Sequence, residues 1–147
     1  MDIFAQFATD PNLELEGKWF NLGPATRTLE GGKPDPASVP RIKVARHGNK
    51  RHSRVVSQLY EANKSLLEMK NDAAEQRGIE IAVESMAKGI LLGWENLSFK
   101  GTGLPDGWDY ETAVMLLQVK DFRELVGRYA NDFAEYRLVK DEAAAGN

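Results

Sequence analysis

The chain has 147 residues, 19 Lys and Arg against 22 Asp and Glu, a net charge of −3 and 42% apolar residues, the size and composition of one folded domain with one core. With no cysteine it has no disulfide, thiolate nucleophile or Cys-based zinc site, which suits a reducing cytosol. Its apolar runs, Gly89 to Leu92 among them, are far below a membrane span, and the acid-containing start Met1-Asp2-Ile3-Phe4 does not read as a signal peptide.

In chain order, Ile3 to Ala8 and the turn-forming Asp10-Pro11-Asn12 read as a tethered arm. Leu13 to Leu22, partly alternating and rich in aromatic residues, is predicted as a strand. Prolines between Gly31 and Pro40 remove donors and fix φ, so this segment is an exposed loop. Arg41-Ile42-Lys43-Val44-Ala45-Arg46 alternates basic and apolar residues, as a strand with one wet face does. It pairs with the Trp19 strand and ends at His47-Gly48-Asn49. Ser53 is the expected N-cap of a helix running from Arg54 to Met69.

Asp72 caps a second helix with the cleanest apolar stripe in the chain, Ile79, Ala82, Val83, Met86, Ala87, Ile90 and Leu91. Gly93 is the residue type that ends a helix in the left-handed region, and Trp94 is the largest anchor available to the segment after it. Gly93 to Trp108 is expected to be irregular, with Leu97 and Phe99 pinning it to the core. Asp109 caps a short helix from Tyr110 to Leu117. Phe122, Leu125, Val126, Tyr129, Ala130, Phe133 and Tyr136 mark a last helix to about Val139, followed by a frayed tail from Asp141. The expected class is α+β and predominantly helical: one domain with an arm, a small antiparallel N-terminal sheet or hairpin and a proline-rich loop over 1–50, about four helices over 51–140, and a flexible tail over 141–147.

Catalytic and metal signatures are missing. His47 and His52 are five apart among cations and read as exposed histidines beside a turn, without the acidic co-ligands a divalent metal needs. Gly101-Thr102-Gly103 lacks the strand-to-helix setting of a phosphate loop. Glu80 and Glu84 share a helix side but lie off the apolar stripe, where carboxylates are simply solvated; Glu95, Asp106, Asp109 and Glu111 show no pairing motif. No enzyme, cofactor or metal is expected.

The strongest local feature is charge. Arg41, Lys43, Arg46, Lys50, Arg51 and Arg54 fall in one stretch with both histidines and no acid. Such a patch attracts phosphate or an acidic partner, yet it has no interleaved aromatic residues and no recognition helix behind it, so nucleic-acid binding is not favoured.

Around Gly93-Trp94 the chain resembles the tail assembly chaperones of long-tailed bacteriophages. The residues that carry the resemblance are the Ala87 to Gly93 helix end, Trp94-Glu95-Asn96-Leu97, the glycine loop Gly101 to Gly107, the short helix Tyr110-Glu111-Thr112-Ala113-Val114-Met115-Leu116-Leu117, and Phe122 through Phe133. The Gly17-Lys18-Trp19 strand and the basic strand at Arg41 to Arg46 fit the family's small sheet; the Gly31 to Pro40 insertion and the additional Trp108 depart from its pattern. The resemblance implies a non-enzymatic protein of virion morphogenesis. It would bind the tape measure protein in the host cytoplasm, help recruit tail tube subunits, and be missing from the mature virion; self-association is compatible with it. Trp94, Leu97, Phe99 and Trp108 are then expected to border the client site, with Arg41, Lys43, Arg46 and Arg51 steering. The alternatives are a structural virion component, such as a head-tail connector or tail completion protein, and, further off, a small nucleic-acid-binding regulator.

Overall fold

A computed structural model describes residues 1–138; the expected tail over 141–147 and the end of the last predicted helix lie outside the described residues. The architecture is α+β and predominantly helical. Two short helices, α1 (Ile3–Phe7) and α2 (Pro11–Glu16), lead into β1 (Lys18–Asn21); β2 (Arg41–Val44) follows a loop carrying a 3₁₀ turn at Pro36–Ser38. Then come α3 (Lys50–Ala62), α4 (Lys64–Glu68), α5 (Asp72–Gly89), β3 (Leu91–Glu95), the small hairpin β4 (Ser98–Phe99) and β5 (Thr102–Gly103), α6 (Tyr110–Leu117), α7 (Lys120–Asn131) and a 3₁₀ turn at Phe133–Tyr136.

The main sheet has the order β1-β2-β3, antiparallel throughout. Its third strand is the chief departure from the expected helix ending at Gly93. The run Ile90-Leu91-Leu92 is too short for periodicity to separate buried helix from buried strand, and tertiary partners decide. The Asn49 side chain donates to the Gly89 carbonyl at 2.9 Å, and Ala45 N–H donates to the Ile90 carbonyl at 2.8 Å. These bonds take the carbonyls of the helix end, and the chain turns into β3 alongside β2. Gly93 is therefore extended strand, opposite Lys43, and not a left-handed cap. One extra residue of β3, Leu92, sits between the Lys43↔Gly93 and Val44↔Leu91 pairs, a bulge.

Local chemistry explains the other boundaries. Asp10, followed by Pro11 at the first helical position, accepts from Asn12 N–H and Leu13 N–H, so Leu13 to Glu16 is helix and only Lys18–Asn21 of the predicted strand is strand. Asn49 replaces Ser53 as the cap of the first long helix, accepting from His52 N–H at 3.0 Å. That helix breaks at Asn63, whose side chain donates to the Leu59 carbonyl at 2.7 Å and accepts from Arg77 Nε at 3.0 Å. Asn71, not Asp72, caps α5 through Ala74 N–H. The last helix stops at Asn131, because Asp132 caps a new 3₁₀ turn. This turn delivers Tyr136, fully buried, whose hydroxyl donates to the Val44 carbonyl at 2.8 Å.

The core gathers Ile42 and Val44 of β2, Val83, Ala87 and Ile90 at α5, Leu91 and Trp94 of β3, Ala113, Leu116 and Leu117 of α6, and Val126 and Ala130 of α7. Phe20 stacks on Tyr129 at 4.2 Å along its margin. Helix α5 is buried on two sides: Val83 and Ala87 face this core, while Ala74, Ile81, Ser85 and Gly89 are buried roughly half a turn away. Ile79, assigned to the predicted stripe, is 42% exposed. A Cβ on Gly89 would stand 2.7 Å from the His52 Cα, so α3 can cross the end of α5 only over a glycine.

The two helical glycines of α5 should therefore respond oppositely. Gly78, with open space at its Cβ position, gains about 1 kcal/mol on substitution by alanine. Gly89→Ala forces the α3 backbone away and loses roughly 1–3 kcal/mol. Urea unfolding of both variants reads the two signs.

A candidate groove for a helical partner

The residues expected to border a client site do not form one surface. Trp94 is 1% exposed and belongs to the core, which removes it as a contact for a partner. Its indole N–H donates to the Pro105 carbonyl at 3.0 Å, and its backbone exchanges two hydrogen bonds with Gly107 at 3.0 Å each. Leu97 and Phe99 are partly buried against the same core. Trp108 is 46% exposed, its N–H donating to the Leu91 carbonyl at 2.8 Å. Together they fasten the segment after β3 to the sheet.

The basic stretch also separates. Arg41 and Glu95, opposite each other on β2 and β3, form a two-pronged pair at 2.7 and 3.0 Å. The hydrogen bonds raise the Arg41 pKa and hold the Glu95 carboxyl below the usual carboxylate range. Arg41 also lies 4.3 Å from the Trp19 ring. Arg46 donates to the Ala130 carbonyl at 3.2 Å and faces Glu14 at 3.8 Å. Lys43 projects on the outer face of the sheet beside Trp19. Arg51 is exposed, reaching the Leu15 carbonyl at 3.5 Å. Lys50 and Arg54 have no carboxylate within 4.0 Å among the described residues.

Two clefts flank α5. One, of about 660 Å³, runs between α5 and α6 and contains Glu80, Glu84 and Glu111. Arg77 holds Glu84 at 2.8 Å and Glu80 at 3.6 Å, so these carboxylates serve an ion-pair cluster. Among the described residues no three His, Asp or Glu side chains are grouped to hold a metal ion.

The other cleft, of about 650 Å³, lies over α5 with α3 and α7 as its sides. Small residues keep it open: Ser53 and Ser57 on α3, Ala82 and Ser85 on α5, Gly127 and Ala130 on α7. Val56, Ile81, Met86 and Tyr60 make it apolar, and the Tyr60 ring is half exposed at its rim. Gly127 has open space where a Cβ would stand, so a glycine in mid-helix leaves room in the groove at a cost of about 1 kcal/mol of helix propensity. That mismatch was the one signal of the groove within the sequence; the opposition of α3 to α7 is a tertiary fact.

One end of the groove is closed by His47 and His52, ring centroids 4.6 Å apart. His47 is exposed, as expected, but His52 is only 4% exposed, a correction to its reading as a surface residue. It sits one turn into α3 where that helix crosses Gly89, and its Nδ1 accepts from Gly48 N–H at 3.0 Å. Burial, with a smaller contribution from His47, lowers its pKa to about 4.

A family model described as YdaY prophage protein matches residues 47–147. The match makes this a phage-derived protein. The chain belongs to the YdaY prophage protein family. The matched region contains every residue lining the groove, from His47 to Asn131, whereas β1 and β2 lie outside it. No curated protein matches the chain, and no solved structure does.

Well above pH 6.5 the His52 ring is neutral both folded and unfolded and contributes nothing to the pH dependence of stability. As pH falls from 6.5 toward 4, the unfolded chain takes up a proton that the native chain refuses, and stability drops by at most about 3 kcal/mol, roughly 2 of it by pH 5. Denaturant unfolding at pH 7 and pH 5 should show this loss in the parent protein, and His52→Asn should reduce it. Trp94→Ala should cost about 3–5 kcal/mol through the cavity it leaves, measurable as a lower urea midpoint.

Proposed function

We propose that this phage-derived protein is a tail assembly chaperone whose client is an amphipathic helical segment of the tape measure protein, bound in the groove between α3 and α7. The observation that carries the reading is the groove itself: an apolar channel of about 650 Å³ floored by α5, lined by small side chains and rimmed by Tyr60, the surface into which a helix lays its apolar face. The resemblance around Trp94 supplies the client class, and the prophage family supplies the setting. A surface of small and flexible apolar contacts, Met86 among them, suits a partner that must later be released. The function is non-enzymatic and exercised in the host cytoplasm before the virion is complete; recruitment of tail tube subunits uses a different face.

Gly127→Gln tests the reading without loss of the fold, because it fills the groove while removing a helical glycine, a gain of about 1 kcal/mol in α7. Co-expressed with the tape measure protein of its phage, the parent chain should co-purify with it, and Gly127→Gln should capture at least tenfold less despite equal or higher thermal stability. Undiminished capture by the variant removes the groove as the client site. Finding the protein in purified virions by mass spectrometry would instead favour a structural component of the particle.

A further inference from the structure

Helix α1 is held in a fixed place yet buries none of its residues. Asp2 caps it through Ala5 N–H at 3.2 Å, and the chain beside it is tied to the segment after α7. Leu138 N–H donates to the Ala8 carbonyl at 3.0 Å, Asp10 N–H donates to the Tyr136 carbonyl at 2.7 Å, and Thr9 is bridged to Arg137. Ile3, Phe4 and Phe7, at spacings that share one helix face, are 64%, 65% and 52% exposed. Phe7 meets Phe133 with ring centroids 5.6 Å apart, and Phe133 and Leu138 are 38% and 46% exposed. Five large apolar side chains therefore stand together in water on an anchored element, the mark of an interaction surface.

The charges around this patch are of both signs and are not spent within the chain. The carboxylates of Asp2 and Asp132 cap helical turns and have no cation within 4.0 Å among the described residues. Arg137 has no carboxylate within the same distance. One of its terminal nitrogens reaches the Ala5 carbonyl at 3.4 Å, and its Nε is the one buried side-chain nitrogen or oxygen left without a partner among the described residues. An acidic partner would serve the arginine and repel both acids, and a basic partner would do the reverse. A second copy carries both signs, and about a two-fold axis any acid–arginine match is made twice. The area agrees. The five side chains leave roughly 500 Å² of surface in water, so two copies bring together roughly 1,000 Å² before a polar rim is counted, the size at which a specific interface begins.

We propose that α1, with Phe133 and Leu138, is a self-docking surface through which two copies of this chain form a two-fold dimer. None of these side chains lines the groove, so the dimer stands or falls independently of the client reading.

Sedimentation equilibrium of the full chain tests it. The parent should dimerise with a Kd at or below about 10 µM, and its melting temperature should rise with protein concentration. Phe4→Glu, at an exposed position outside the core, should weaken the dimer at least about thirtyfold and remove the concentration dependence, with the far-UV circular dichroism unchanged. Gly127→Gln should leave the dimer as it is. Because the chain has no cysteine of its own, Ile3→Cys, Phe4→Cys and Phe7→Cys, made singly, read the symmetry: near a two-fold axis a residue meets its own copy. At least one of the three should oxidise to a disulfide-linked dimer about tenfold faster than Ser57→Cys on the groove wall. A parent chain that stays monomeric, a dimer indifferent to Phe4→Glu, or a dimer lost in Gly127→Gln overturns the proposal. Cross-linking no faster at the three α1 positions than at Ser57 overturns the two-fold arrangement.

Discussion

The structure depends on one joint, the crossing of α3 over the end of α5. Asn49 makes it with a single side chain. Its Oδ1 caps α3 through His52 N–H, while its Nδ2 donates to Arg46 O at 2.8 Å and to Gly89 O at 2.9 Å. One 7%-exposed amide thus starts a helix, closes the turn after β2 and satisfies the end of another helix. Each of these groups, left unpaired in a buried position, would cost about 1–3 kcal/mol. The approach is possible because Gly89 presents no Cβ to the His52 backbone.

From that joint the remaining architecture is built. With α5 stopped at Gly89, Ile90 and Leu91 cannot stay helical and pass alongside β2, giving the sheet its third strand and placing Trp94 opposite Ile42. Trp94 then holds the chain from Pro105 to Gly107 beneath α6 through three hydrogen bonds. On the other side of β2, His47 N–H donates to the Ala130 carbonyl and the Tyr136 hydroxyl donates to Val44, docking α7 and the turn beyond it. The two walls of the groove are therefore fixed to the same short stretch, Val44 to His52, α3 by continuity and α7 by hydrogen bonds.

Elements whose signal is local were legible in the sequence. The alternating Arg41 to Arg46 strand, the Asp109 cap, the Tyr110–Leu117 helix and the α+β class arise from patterns a few residues long. The illegible parts depend on partners distant in sequence. Asparagines at 49, 63 and 71 decide helix boundaries through groups on other elements or at other chain positions, and asparagine is an ordinary loop residue until those are known. The apolar positions of α5 belong to two buried sides, so a single stripe misplaces Ile79 and misses Ile81. The expected client residues were aromatic because aromatic residues anchor both cores and interfaces. Burial assigns Trp94 to the core, whereas the groove is made largely of residues that draw no attention in a sequence: serine, alanine and glycine.

That choice of residues is the physical argument for the groove as the proposed client site. A packed core of this size could close the space between α3 and α7 with two or three leucines and gain about 1.5–3 kcal/mol for each one buried. Instead Ser53, Ser57 and Gly127 leave it open, Gly127 weakens its own helix, and the cations at the start of α3 oppose the helix dipole. Each of these features lies on or beside the same channel, and the contacts that offset them are few: the Ser53 hydroxyl donates to the Gly48 carbonyl at 3.0 Å and Arg51 reaches the Leu15 carbonyl at 3.5 Å. Gly78 of α5 and the uncapped start of α7 break local rules elsewhere; those broken along this channel are what the proposed client would offset on binding. The destabilisation is confined to the walls, while the floor, α5, carries core contacts on its far side and keeps its shape whether the groove is filled or empty.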